Sequence, residues 1–212
     1  MRRLKYTLEN VYKIAINCIF GTPLPFHPSL RSIHSLRRFR TIYYIFPYSN
    51  RDVRTCMWQL KFRRNRDFAK ELGALCADYL DEIVLELETM HAFDKPLLVS
   101  VPSSKDRIRT RGIDTNHLLC QSIINSSNFI QDHENTIIKK VKNTDPQSWS
   151  KTKRERMQKP IGAFTVTKPD QIAGRNIILF DDITTTGATI EHVSDLLKQA
   201  GARKILKFVI AH

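Results

Sequence analysis

Apolar positions in this chain follow two periods. Leu97 to Val101 and Ile177 to Phe180 are short runs with no polar alternation, the pattern of strands covered on both faces in a parallel sheet. Elsewhere the spacing is helical. Val53, Met57 and Leu60 recur with Trp58, Lys61 and Phe62 beside them, and Leu72, Leu75, Cys76, Tyr79, Leu80 and Ile83 share one face of a helix expected over Phe68 to Leu87. Further strands are predicted at Thr41 to Tyr48 (a strand or hairpin arm rich in Ile and Tyr), Thr136 to Val141, Phe164 to Thr167 and Ile205 to Ala211. Further helices are predicted at Thr115 to Ile124 and at Thr189 to Gln199, the latter closed by Gly201. Strands alternating with helices imply a doubly wound, mainly parallel α/β sheet, whose ligands gather at the carboxyl ends of strands.

The remaining segments are less regular. A helix from Leu8 to Ile19 is followed by Gly21-Thr22-Pro23-Leu24-Pro25-Phe26-His27-Pro28, which breaks any regular element. Residues 1–44 are therefore read as an arm or small appendage, and 45–212 as the main domain. Ser103 to Gly112 reads as a polar, very basic loop, and Lys142 to Pro160 as a long, basic, mobile segment poor in apolar residues. Both follow predicted strands, which places them beside the loop that follows Phe180.

With 212 residues the chain can bury a sizeable core in one domain with an appendage. The net charge of +13, from 34 basic and 21 acidic residues, concentrates phosphorylated ligands or nucleic acid without distinguishing them; a generally basic surface is the plainer account. Cys18, Cys56, Cys76 and Cys120 lie far apart with no C-x-x-C pair, so neither a zinc ribbon nor a disulfide framework is indicated, and a reducing, cytoplasmic setting fits. Glu9, Lys13 and Asn17 interrupt the apolar stretch after the basic N-terminus, against an export signal. No run approaches the roughly 20 apolar residues of a membrane span.

Chemistry concentrates after the strand at 177. Ile177-Ile178-Leu179-Phe180 ends, on this reading, at Asp181 and is followed by Asp182-Ile183-Thr184-Thr185-Thr186-Gly187-Ala188-Thr189. Backbone amides and hydroxyls at the start of a helix suit an anion, and Gly187 can take a positive φ that wraps the backbone around phosphate oxygens. Ionised Asp181 and Asp182 match two vicinal sugar hydroxyls and can hold Mg2+ through water rather than by direct ligation. The loop thus reads as a cradle for ribose 5-phosphate. Paired acids at a strand end are costly unless something binds them, which weighs against an ordinary polar turn.

A second constellation is Val101-Pro102-Ser103-Ser104-Lys105-Asp106-Arg107-Ile108-Arg109-Thr110-Arg111-Gly112. Its hydroxyls at Ser103 and Ser104, with Lys105, Arg107, Arg109 and Arg111, suit a diphosphate, because guanidinium forks match paired phosphate oxygens. Which arginine reaches the ligand stays open. The lone histidines, His117 and His192 among them, are read as surface or helix residues.

Residues 177–189 resemble the signature of phosphoribosyltransferases that use 5-phosphoribosyl 1-diphosphate, position by position. The Val-Pro and Arg-x-Arg-x-Arg-Gly stretch leading to Ile113-Asp114-Thr115-Asn116 is similar to that of ComF-type proteins of the phosphoribosyltransferase-like superfamily. Tyr48 with Leu60-Lys61-Phe62, the spacing of Gln147 to Arg154-x-Arg156, and Gly162-Ala163-Phe164 extend the resemblance over roughly residues 45–212. It implies a type I phosphoribosyltransferase-like fold in which Asp181 and Asp182 hold the ribose hydroxyls, and Thr184 to Thr189 the 5-phosphate. It also implies a flexible hood over the site, in which Gln147, Lys153, Arg154 and Arg156 meet the diphosphate on closure. Two departures stand out: only Cys18 lies where ComF-type proteins often carry a four-cysteine zinc segment, and Ile113-Asp114-Thr115-Asn116 lacks the family's glutamine.

The expected reaction is Mg2+-assisted transfer of ribose 5-phosphate to an unidentified nitrogen acceptor with release of diphosphate, with Asp181 and Asp182 as the catalytic pair. The other reading is a non-catalytic sensor of a phosphoribosyl ligand, or a competence accessory that handles DNA or docks a competence protein. The chain shows no helix-turn-helix, no zinc finger and no aromatic stacking motif interleaved with its basic runs. A homodimer is left open.

Overall fold

The computed structural model describes residues 33–62, 66–141 and 163–212. The helix expected at Leu8 to Ile19 and the hood residues Gln147, Lys153, Arg154 and Arg156 lie outside them. Within them, β1 (Arg37–Phe39) and β2 (Ile42–Phe46) lead to α1 (Arg51–Phe62), α2 (Arg66–His91), β3 (Leu97–Ser100), α3 (Lys105–Arg111), α4 (Thr115–Ser126) and β4 (Asp132–His133). Then come β5 (Ile138–Lys140), β6 (Phe164–Val166), β7 (Asn176–Ile183), α5 (Ala188–Gln199) and β8 (Lys204–Ala211). Six strands form one sheet in the order β1-β2-β8-β7-β3-β4, and β5 and β6 form a separate antiparallel pair. Every pairing in the main sheet is parallel except β1 with β2. This is the mainly parallel, helix-flanked α/β sheet that the periodicity implies.

The apolar run at 177 occupies the middle of that sheet, and both of its faces are covered. Leu179 pairs with Val99 on one side and Lys207 on the other. Ile178 and Phe180 join a core with Leu98, Phe208 and the apolar stripes of α1, α2 and α4. Ile177 and Leu179 point to the opposite core, with Val99, Val209 and Ile190, Val193 and Leu197 of α5. A side chain alternating between two filled cores explains why no polar residue interrupts the run. Each such buried Ile, Leu or Phe contributes about 1.5–3 kcal/mol.

Four features differ from the expectation. β7 does not end at Asp181: Asp181 pairs with Val209 and Ile183 with Ala211, because β8 extends alongside and carries the strand two residues further, to Ile183. The basic loop at 103–112 contains a helix, α3, because Ser104 Oγ caps it by accepting from Arg107 N and Gly112, at φ 69, closes it by donating to Ile108 O. The boundary at residue 44 runs through β2, whose register on β8 spans Ile42 to Phe46; β1 and β2 belong to the main sheet. The two-residue β4 had no run long enough to signal it.

Gly73 shows how closely the helices on the first face approach. A Cβ there would lie 2.4 Å from Ser122 Cβ and 3.1 Å from Leu119 O on α4. Ser122 is itself held by its Oγ donating to Lys70 O at 2.6 Å, so it has little freedom to yield. Gly73→Ala is expected to lower stability by roughly 1–3 kcal/mol despite alanine's better helix propensity. Urea unfolding measures this; an unchanged or higher midpoint would contradict the close α2–α4 contact.

Candidate functional site

The carboxyl ends of β2, β3 and β7 open into one cavity of about 320 Å³. β7 supplies Asp181, Asp182 and Ile183; the residues after β3 supply Val101, Pro102 and Ser103; α3 supplies Arg107 and Arg111. Tyr48 follows β2, Lys61 comes from α1, Asn116 from α4, Lys140 and Phe164 from the small sheet, and Thr189 from the first turn of α5. A parallel sheet places its strand ends and helix starts on one side, so residues far apart in sequence converge here.

The two carboxylates have different surroundings. Asp182 is buried, and its Oδ2 lies 2.7 Å from Lys61 Nζ. Asp181 Oδ1 accepts from Asn116 Nδ2 and from Asp182 N, both at 2.9 Å. Burial, and then the neighbouring Asp182, push the Asp181 carboxyl up to about 7, against the two hydrogen bonds and Lys61. Two adjacent carboxylates present oxygen acceptors at one strand end. The donor set therefore fits a divalent cation or the hydroxyl donors of a sugar, either of which favours the ionised form.

The cationic wall faces them. Arg107 and Arg111 stand four residues apart on α3, hence on one face, and both line the cavity. Burial lowers the pKa of Arg111, while the charge of Asp182 favours its protonated form. Lys140 responds likewise to burial and to Arg107, opposed by Asp181. The helical spacing excludes the other basic groups: Arg109 pairs at 3.6 Å with Asp106 on the solvent side, with 85% of its side chain exposed, and Lys105 is exposed and outside the lining. Ser103 lines the cavity, whereas Ser104 is committed to capping α3.

Of the threonine loop, only Thr189 lines this cavity. Gly187 takes φ 79 as the N-cap of α5, the left-handed conformation expected of it. Its amide donates to Thr184 Oγ1 at 3.1 Å, and Ala188 N donates to Thr186 Oγ1 at 3.3 Å. Thr184 is buried and anchored through its own amide to Ala211 O at 3.0 Å, while Thr185 and Thr186 are exposed. The loop is thus held by its own hydroxyls, next to the carboxylates along the chain.

Among the cavity residues that were not sequence candidates for the site are Lys61, Lys140 and Asn116. Lys61 stands in the sequence beside an apolar stripe and within the Leu60-Lys61-Phe62 segment of the resemblance, with no site role attached, and Lys140 in a short strand. Asn116 carried a readable signal: with Leu119, Cys120 and Ile123 at helical spacing, it is a polar residue at a core position of α4. It is 4% exposed, and its Nδ2 bridges Val101 O and Asp181 Oδ1. It ties the strand end of β3 to the strand end of β7.

No family model matches the chain. It is similar to the DNA utilization protein YhgH of Escherichia coli (strain K12), with 31% identity over 153 residues, covering 69% of this chain and 61% of that protein. It is also similar to the competence protein ComFC of Bacillus subtilis (strain 168), with 34% identity over 105 residues, 50% of this chain and 39% of that protein. The chain thus spans about three fifths of the length of the E. coli relative. Among solved structures, a glutamine phosphoribosylpyrophosphate amidotransferase from B. subtilis aligns with TM-score 0.40 and 15% identity over 66% of this chain and 25% of that one. Among the described residues no helix is long and apolar enough to cross a membrane.

Proposed function

We propose that this cavity binds 5-phosphoribosyl 1-diphosphate with Mg2+ and supports transfer of ribose 5-phosphate to a nitrogen acceptor, in the manner of a ComF-type phosphoribosyltransferase. The observation that carries the reading is the placement of Asp181 and Asp182 at the end of β7, opposite Arg107 and Arg111 on one face of α3. Carboxylates suit hydroxyls and a metal; guanidinium forks suit a diphosphate.

On this reading Asp181 and Asp182 accept from the ribose hydroxyls, and Asn116 holds Asp181 in place. Arg107, Arg111 and Lys140 stabilise the charge that gathers on the departing diphosphate while C1 of the ribose becomes electron-poor. Mg2+, held near Asp181 and Asp182 through ligand and water, would supply Lewis-acid charge to the diphosphate and a template for the ribose oxygens. No nucleophile from the protein is required, since the acceptor attacks C1 directly and positioning supplies most of the acceleration.

Mg2+ with 5-phosphoribosyl 1-diphosphate at about a hundred times Kd is expected to stabilise the fold by about 2.7 kcal/mol, roughly 5–10 °C in Tm for a domain of this size. Arg111→Ala should reduce the shift, and Arg109→Ala should leave it unchanged, because only Arg111 lines the cavity. A thermal melt without any ligand-dependent shift would refute the assignment. The printed names of the relatives, DNA utilization and competence proteins, favour a second reading, a non-catalytic accessory that binds the same ligand. Diphosphate release across a panel of amines, bases and ammonia separates them: silence with normal binding selects the accessory.

A further inference from the structure

Lys61 is the penultimate residue of α1, and both of its neighbours are held. Leu60 before it is buried in the core that Phe180 joins, and Phe62 after it lies beside Arg111, whose guanidinium carbon is 5.5 Å from the ring centroid. The Lys61 side chain turns into the cavity, where Nζ lies 2.7 Å from Asp182 Oδ2 with only 17% and 11% of the two side chains exposed. The neighbouring acid is held differently, since Asp181 Oδ1 accepts from Asn116 Nδ2 and from Asp182 N. A cation thus already stands at the carboxylate pair, and it belongs to the chain.

An ammonium anchored on the same fold acts at a high effective concentration that dilution does not lower, so a metal ion in solution competes with it for the same oxygen at every instant. Mg2+ gives up its water reluctantly and is bound by one or two carboxylates together with phosphate oxygens rather than by an all-protein cage, so exchanging the ammonium for a hydrated ion gains little. Arg107, Arg111 and Lys140 line the same cavity and repel a free cation while attracting an anion. We propose that Lys61 is a specificity-determining residue of this site: its ammonium holds the cation position at Asp182 and bars free divalent metal from the acid pair. On the phosphoribosyl reading, which this step alone requires, Mg2+ then enters with the diphosphate that carries it. A salt bridge that merely ties α1 to β7 gives the same 2.7 Å contact but leaves no metal site behind when the lysine is removed.

Mn2+ alone is the probe, added to the full chain while the loss of its free paramagnetic resonance signal is followed. The native chain is expected to take up no saturable Mn2+ up to about 1 mM, and Lys61→Met to gain one site at least about tenfold tighter than that limit. Lys61→Arg keeps the charge and should bind as little as the native chain, whereas adding Asp182→Asn to Lys61→Met should remove the gained site. Circular dichroism shows that each variant folds; where Lys61→Met does not, Lys61→Gln takes its place. Native binding as tight as that of the uncharged variant, no gain in that variant, a gain that survives Asp182→Asn, or Lys61→Arg behaving like Lys61→Met would overturn the proposal. The melting shift with Mg2+ and 5-phosphoribosyl 1-diphosphate is read separately on the native chain. Its absence refutes the phosphoribosyl site and leaves the Mn2+ comparison standing; a failed Mn2+ comparison sinks only the role of Lys61.

Discussion

Gly187→Leu is expected to remove the melting shift proposed for Mg2+ with 5-phosphoribosyl 1-diphosphate. Gly187 sits at φ 79, where a side chain costs roughly 1–2 kcal/mol, and a Cβ there would approach Ile42 Cδ1 to 3.0 Å. Alanine's methyl meets only the end of a flexible isoleucine, so Gly187→Ala should keep the fold with a modest loss. Leucine must push its branched end into the buried space between β2 and the start of α5. Relief comes from moving the 184–188 turn, which breaks the Thr184 Oγ1 contact to the amide at 187 and redirects the loop beside the carboxylates. Circular dichroism establishes that the variant folds, and thermal melts with and without ligand give the result. A folded leucine variant with the full shift would show that this loop does not form part of the ligand site.

Asp181→Asn is expected to stabilise the protein at pH 8 while abolishing the ligand-dependent shift. The carboxyl is held at about 7 in the folded state against an ordinary value of 3.8, by burial first and Asp182 second. Between about pH 4 and 7 the folded chain therefore binds a proton that the unfolded chain has released, so this group's contribution to stability is greatest in acid and is lost as pH rises through 7. Asparagine keeps an oxygen to accept from Asn116 Nδ2 and Asp182 N but carries no charge to bury. The gain at pH 8 should be roughly 1–3 kcal/mol and should shrink towards pH 4. For the native protein the same titration should make affinity for the proposed ligand climb towards pH 8, because a hydroxyl donor or a cation needs the ionised acid. Urea unfolding of both proteins at pH 5 and pH 8 measures the difference; a variant that gains no more at pH 8 than at pH 5 would remove the argument.

Much of the architecture was legible because burial leaves a mark in residue order. The unbroken apolar run at 177 reports two covered faces, and the stripe through Leu72, Leu75, Leu80 and Ile83 reports one. Helix α3 was missed because four basic residues drew attention to charge, although Ser104 and Gly112 stand at the two ends of the helix as its caps. The end of β7 was placed too early because ladder length depends on the partner strand, and nothing local to Asp181 reports that β8 continues to Ala211.

The sequence by itself determined the chemical inventory: adjacent acids after a buried strand, a glycine where the backbone must turn, and a basic segment after another strand. Which of these groups face each other was decided by the tertiary structure. Helical periodicity turns Arg107 and Arg111 into the cavity and Arg109 away from it; parallel pairing of β3 with β7 brings Asn116 to Asp181; packing of α1 delivers Lys61 to Asp182 and leaves Trp58 and Phe62 at the rim. Residue type sets what a group can bind, and convergence of strand ends sets what it can bind together with.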